Sequence, residues 1–433
     1  MPKNDCAMKR LFCICLLSLF ICAACDFLKE NHLTGESRAG TGRVTNDQDT
    51  SSVISRRPVP DTIIYISAIR FPEGYDWQID TLASSVPGEL VLLRDGEEVC
   101  SCTVGYDTRV SADPDMHRII GGRLFSDFSS DSETFILCDG HESFRYPGRE
   151  AIYGILVKDG AVWTLGQNRS GRGISLRRNG NEVFSDADGL AFGRLGESPG
   201  GLFVNKGKVC FYYYRQESGA VADNRRCFLV EEKLATEIVI QQRFSTIMDI
   251  CSIGGEMVMV GLPEGHTGVL SIYEGGRLSS FPMSGYDRIG SCRIVPSGKG
   301  EYLLHGRCVQ ISNGVLNDFV CDRTGRFDYY TSTNSQIDVY AGGGHRIIIR
   351  GLKAYNWILI ILDGASQQIP GKYRMISRRC GYLLSDEFFL GLNPAETGSQ
   401  PYILTSVGRK FPFSFNGFIT EVNIVLDEKT NND

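Results

Sequence analysis

Glycines recur along this chain at a fixed offset, and that ruler constrains the fold more than any other feature. Ile152, Ile155, Gly160, Gly166, Gly173 and Gly180 fall without a gap on Ile247, Ile250, Gly255, Gly261, Gly268 and Gly275, 95 residues later. Gly207 lies 47 residues after Gly160 and 48 before Gly255, so the offset spans two units, and Gly300 and Gly344 continue the series. A period of this size marks a repeat architecture. With 49 Gly and 15 Pro in 433 residues, the chain has little room for long helices.

Each unit reads as a short apolar strand, a glycine turn, a second strand, a loop, a third strand ending in a tight turn, and a fourth strand. The third-strand turns are Asp95-Gly96, Asp139-Gly140, Asn179-Gly180, Gly275-Gly276, Thr324-Gly325, Asp363-Gly364 and Val407-Gly408, with a less typical one at Glu232-Lys233. Asn, Asp and Gly suit the positive φ of two-residue hairpin turns. Runs such as Gly88 to Leu93 and Trp357 to Leu362 are apolar on both faces, as strands covered from both sides require. Four strands per repeat predicts an all-β fold, a β-propeller of about eight four-stranded blades over residues 61–433. The count becomes seven if the first or last unit is shared in closing the ring, and a pair of β-sandwiches is the alternative architecture. The segment Val162 to Gly173, with its Gly-Gln-Asn-Arg-Ser-Gly core, is similar to the repeat of the regulator of chromosome condensation family, itself a propeller. The resemblance covers one unit, so it implies fold and no activity.

The first 60 residues read differently. Met8-Lys9-Arg10, an apolar run from Leu11 to Ala24 and then Cys25 form a secretion leader over residues 1–24. Ala23-Ala24-Cys25 resembles the lipobox of bacterial lipoproteins, which implies acylation, by palmitate among other chains, and membrane attachment at Cys25. An ordinary signal peptide cut after Ala24 is the alternative. Residues 25–60 are rich in Ser, Thr, Asn, Gly and charge and form a predicted flexible tether with a reach of roughly 30 Å. The expected location is a bacterial cell envelope, in the outer membrane rather than the inner, facing the periplasm or the surface. Asp26 resembles the inner-membrane retention signal of enteric bacteria, whereas Lys29-Glu30 fits a surface-export signal.

Composition narrows the function classes. The formal net charge is −6, and removing the leader (Lys3, Lys9 and Arg10 against Asp5, a net +2) leaves −8. That balance argues against nucleic-acid binding by phosphate neutralisation. Five of the 15 cysteines fall at or before Cys25, and the other ten sit mostly in apolar runs, where free thiols act as small core residues. Cys100 and Cys102 have no second pair to complete a zinc site. The six histidines are scattered, Asp186-Ala187-Asp188-Gly189 lacks the further ligands of a calcium loop, and Ser130 to Phe135 is a poor echo of the sialidase Asp-box turn. Gly196-Glu197-Ser198-Pro199-Gly200 fits G-x-S-x-G, but Pro199 removes the N–H an oxyanion hole needs. No catalytic, cofactor or metal residues are assigned.

One cluster is suggestive of binding. Tyr212-Tyr213-Tyr214-Arg215 faces Arg225-Arg226 across a loop, and aromatic and guanidinium groups at the mouth of one loop suit a protein or glycan surface. The opposing expectation has the tyrosines packed between blades and the arginines solvated; Trp77 is likewise expected to pack. The expected function is therefore a lipid-anchored envelope propeller binding or scaffolding a protein or glycan partner. The alternative is an enzyme acting on envelope or extracellular polysaccharide, with acids and arginines from several blades meeting at the axis. Signalling across the envelope would need a partner protein.

Overall fold

The computed structural model describes residues 62–77, 88–104, 117–130, 132–169, 172–191, 202–216, 225–237, 244–298, 300–331, 335–342, 345–352, 357–373, 379–384, 387–396 and 398–426. The leader, the tether with Cys25, and the G-x-S-x-G segment lie outside the described residues. Those described contain strands, turns and no helix.

Eight antiparallel sheets form a β-propeller, and in all but one the strand that comes first in the chain is innermost. Blades 2 to 8 span 117–147, 150–186, 189–237, 244–282, 286–331, 335–370 and 381–412. Blade 1 takes its three outer strands from residues 62–104 and its inner strand, Gly417–Leu426, from the other end of the chain. Thr62 stands opposite Leu426 and Arg70 opposite Gly417, so the ring is closed by backbone pairing between its ends. Closure is thus shared, and the count is still eight. Blade 4 departs from the pattern: its inner position holds two short strands, Gly189–Ala191 and Phe203–Asn205, which pair with opposite ends of Lys208–Gln216.

The turns explain the ruler. Asp95, Asp139, Asn179, Glu232 and Asp363 adopt φ near +50°, the left-handed region that Asp and Asn tolerate best among residues with a Cβ. Four of these side chains do a second task. The carboxylate or amide oxygen of Asp95, Asp139, Asn179 and Asp363 accepts the backbone N–H of Ile64, Leu124, Val162 and Arg346 at 2.8–2.9 Å, fastening each third-strand turn to the start of the second strand. Thr324-Gly325 and Val407-Gly408 differ from expectation. There only the glycine has positive φ, and the loops are longer, with Gly325 N–H donating to Asp322 O and Gly408 N–H to Thr405 O.

The core lies between blades. One cluster joins blades 5 and 6 through Val258, Val260, Ile272, Tyr302, Leu304 and Phe319, and comparable clusters fill other gaps. Trp77 is buried against Phe418 of the closing strand, ring centroids 5.3 Å apart. All ten cysteines among the described residues are free and seven are buried, so thiols serve as core residues.

A meander places its first-to-second and third-to-fourth strand turns at one end and all other connections at the opposite end. At the first end every connection has two to four residues. At the other, connections range from two residues to the 17 of positions 71–87. Thr62 and Leu426 both lie at the short-turn end, so the chain preceding residue 62 joins the propeller there.

Candidate functional site

The Tyr212 to Arg226 cluster belongs to blade 4, on the hairpin formed by Lys208–Gln216 and Arg225–Glu231, and it reaches the long-connection end. Alternation along the strand divides its tyrosines. Tyr213 faces blade 3, fully buried and stacked on Phe228 at 5.2 Å. Tyr212 faces blade 5, is 2% exposed, and donates its hydroxyl proton to Asp249 at 2.8 Å. Neither ring is open to a ligand. The accessible part of the cluster is narrower than the sequence suggests: Tyr214 is half-buried, and Arg215 and Arg226 are exposed. The Arg225 side chain lies outside the described residues.

The two arginines are held, not loose. Arg215 Nε donates to Asp186 at 2.7 Å, and Arg226 Nε to Glu237 at 2.8 Å. Both guanidinium groups lie over the Phe228 ring, 5.0 and 5.5 Å from its centroid. Stacking of this kind orders a guanidinium at small cost while leaving its edge to solvent. The Arg226 bond holds the Glu237 carboxyl below the usual carboxylate range. Asp186 also accepts the N–H of Asp188, so Asp186-Ala187-Asp188-Gly189 is a turn whose carboxylate is committed to Arg215.

A second polar grouping lies on the inner strands, where the sequence shows only isolated acids. Asp249, in blade 5, accepts the Tyr212 hydroxyl, its neighbour Ile250 N–H at 2.9 Å, and Ile294 N–H of blade 6 at 2.7 Å. Burial pushes this carboxyl up to about 6, against the pull of those hydrogen bonds and of Arg293. Arg293, in blade 6, donates to His305 Nδ1 at 3.2 Å and reaches the Val339 carbonyl of blade 7 at 3.5 Å. Asp338 beside it is fully buried, and burial with Asp338 raises the Tyr340 phenol well above its ordinary value.

Across the ring, Glu421 of the closing strand repeats the device. Its carboxylate accepts Ile119 N–H of blade 2 at 3.0 Å and pairs with Arg379 at 3.4 Å, while Arg379 donates to the His117 carbonyl at 2.8 Å. Burial raises the Glu421 carboxyl despite Arg379 and Arg118. In both places an acid on one inner strand binds the backbone of the next, so these carboxylates tie blades together. The sequence carries a usable signal for them: each is a lone acid in an apolar strand, as in Ile247-Met248-Asp249-Ile250 and Ile419-Thr420-Glu421-Val422. Buried charge of that kind demands partners. Among the described residues no three His, Cys, Asp or Glu side chains gather as metal ligands.

No protein-family model matches the sequence, and no curated protein matches it. Solved structures similar to the chain include the dihydro-heme d1 dehydrogenase NirN in complex with DHE, at 12% identity and TM-score 0.47, covering 86% of this chain and 77% of that one. The Dos1 propeller is similar at 10% identity and TM-score 0.40, over 76% of this chain and 90% of its own. TolB from Acinetobacter baumannii is similar at 10% identity and TM-score 0.35, over 67% and 78%.

Proposed function

We propose that the protein is a binding or scaffolding propeller of the bacterial envelope, anchored by lipid on Cys25 and taking a protein or glycan partner on its long-connection end. The observation that carries this reading is the inequality of the two ends. Connections of two to four residues at one end leave little to vary, whereas those at the other reach 17 residues. Loops of variable length on a rigid scaffold are where binding residues concentrate. The chain enters at the short-turn end, at Thr62, so a tether there leaves the opposite end free for a partner. On that free end Arg215, Arg226 and Tyr214 supply ordered guanidinium groups and an aromatic edge.

The test has two parts. Mass spectrometry of the mature N-terminus in membrane fractions should find Cys25 acylated; an unmodified Cys25 refutes the anchor. Photo-crosslinking from positions 214 and 226 in intact envelopes, together with glycan arrays, should yield one discrete adduct or a saturable glycan signal. Self-adducts alone with blank arrays refute the binding role.

The alternative, an enzyme acting on envelope or extracellular polysaccharide, draws on the grouping of Asp249, Arg293 and Asp338 from three successive blades. Asp249 is 7% exposed and Asp338 0%, and the Asp249 oxygens are engaged in inter-blade bonds. These side chains are better placed to hold the ring than to meet a sugar. Loss of a measurable polysaccharide-cleaving activity in an Asp338→Asn protein that keeps its melting temperature would favour the enzyme.

A further inference from the structure

A cleft of about 490 Å³ opens between the outer parts of blades 5 and 6, at the short-turn end and thus away from the Tyr214 face. Its floor is fixed. Arg323 Nη2 lies 2.7 Å from Glu274, the Tyr302 hydroxyl donates to the same carboxylate at 3.0 Å, and Ile272 packs beneath. Its rim carries two exposed charges of opposite sign, Glu256 and Arg277, and neither has an ion-pair partner among the described residues. Ser279 adds a hydroxyl beside Arg277.

We infer that this cleft binds a dipeptide-sized zwitterion, its ammonium on Glu256 and its carboxylate on Arg277. Three arguments select that chemistry. The volume lies within the range of small-molecule sites. Glu256 and Arg277 stand on strands separated by one other and two residues out of register, so their backbones are about 12 Å apart, a gap that two long side chains can narrow to the ~7 Å between the ends of an extended dipeptide. A sugar is a poorer fit, because the cleft's aromatic residue, Tyr302, is 2% exposed and offers no ring to stack on. Arg323 is already paired with Glu274 and lies 3.6 Å from Glu301 as well, so this grouping shapes the floor and leaves the rim charges to select a ligand with both signs.

Isothermal titration of the full chain in detergent with Ala-Ala tests this. The expected result is saturation by about 10 mM, with affinity reduced about tenfold or more by Glu256→Gln, by Arg277→Gln, and by using N-acetyl-Ala-Ala or Ala-Ala amide. Both substituted side chains are exposed, so unchanged melting temperatures confirm that the variants remain folded. No saturable heat from Ala-Ala, or binding that the two variants leave unchanged, overturns the assignment.

Discussion

Replacing Asp249 by Asn should stabilise the protein progressively, relative to the wild type, as pH rises from about 4 to about 7, although it removes a charge that three donors contact. Two effects compete at this carboxyl. Its hydrogen bonds from Tyr212, Ile250 and Ile294 favour the ionised form, and burial favours the protonated one. Burial wins: the group sits at about 6 in the ring against 3.8 ordinarily. A pKa raised on folding contributes stability that is complete below the unfolded value and is lost as pH rises through the folded one. The difference corresponds to about 3 kcal/mol, given up by the wild type between roughly pH 4 and pH 6. The substituted side chain does not titrate, but its NH2 group replaces one of the two oxygens that accept from Tyr212, Ile250 and Ile294, so at least one of those donors loses its acceptor. The variant should therefore be the weaker protein near pH 4, by about 1–3 kcal/mol. Between pH 4 and pH 7 the difference should move by about 3 kcal/mol in the variant's favour, or roughly 1 M in urea midpoint for a slope near 3 kcal/mol/M. Urea unfolding followed by intrinsic fluorescence at pH 4, 5, 6 and 7 measures this, and acids elsewhere cancel in the difference. A pH-independent difference would show that the hydrogen bonds offset burial, and a wild type that gains on the variant as pH rises that they outweigh it; either result refutes the reasoning. Tyr212→Phe removes one donor and should move the transition to higher pH.

Three other outcomes are expected. Gly261 faces the bulge in the inner strand of blade 5, and a Cβ there would lie well inside contact distance of the Thr246 carbonyl; Gly261→Ala should lower stability by about 1–3 kcal/mol, read as a reduced urea midpoint. Deleting residues from 417 onward removes the inner strand of blade 1 and the Glu421 tie, so the truncated protein should be degraded by trypsin at concentrations that leave the full chain intact. Burial pushes the Cys138 and Cys210 thiols up to about 11 and raises Cys227 and Cys292 further. These four should resist iodoacetamide at pH 8 in the native state and react once urea unfolds the ring, as peptide mass spectrometry will show.

The architecture was legible wherever a local rule governs it. A two-residue turn needs left-handed backbone, so Asp95-Gly96 and Asn179-Gly180 announced themselves, and even Glu232 followed the spacing of its neighbours. The closing strand announced nothing, because its partner stands at the opposite end of the chain and pairing at that separation leaves no periodic trace. The lone acids of the axial ties stood out, but their partners were hidden for the same reason. Asp249 meets Tyr212, 37 residues away, and Ile294, 45 away, and each contact is set by how neighbouring blades stack. At the candidate face the sequence placed aromatic and basic residues on the right hairpin. It could not decide which tyrosines were buried, since three in a row fit either register of a strand covered on both sides.

Closure by pairing of Thr62 with Leu426 also means that the ring has no intrinsic starting point. A short linker across these two residues would join the existing ends, and a cut between Gln216 and Arg225 would provide new ones. Such a circularly permuted chain keeps all eight sheets and moves the seam from blade 1 to blade 4. Its termini would emerge at the long-connection end, leaving the short-turn end, with its cleft, unencumbered by any fused segment.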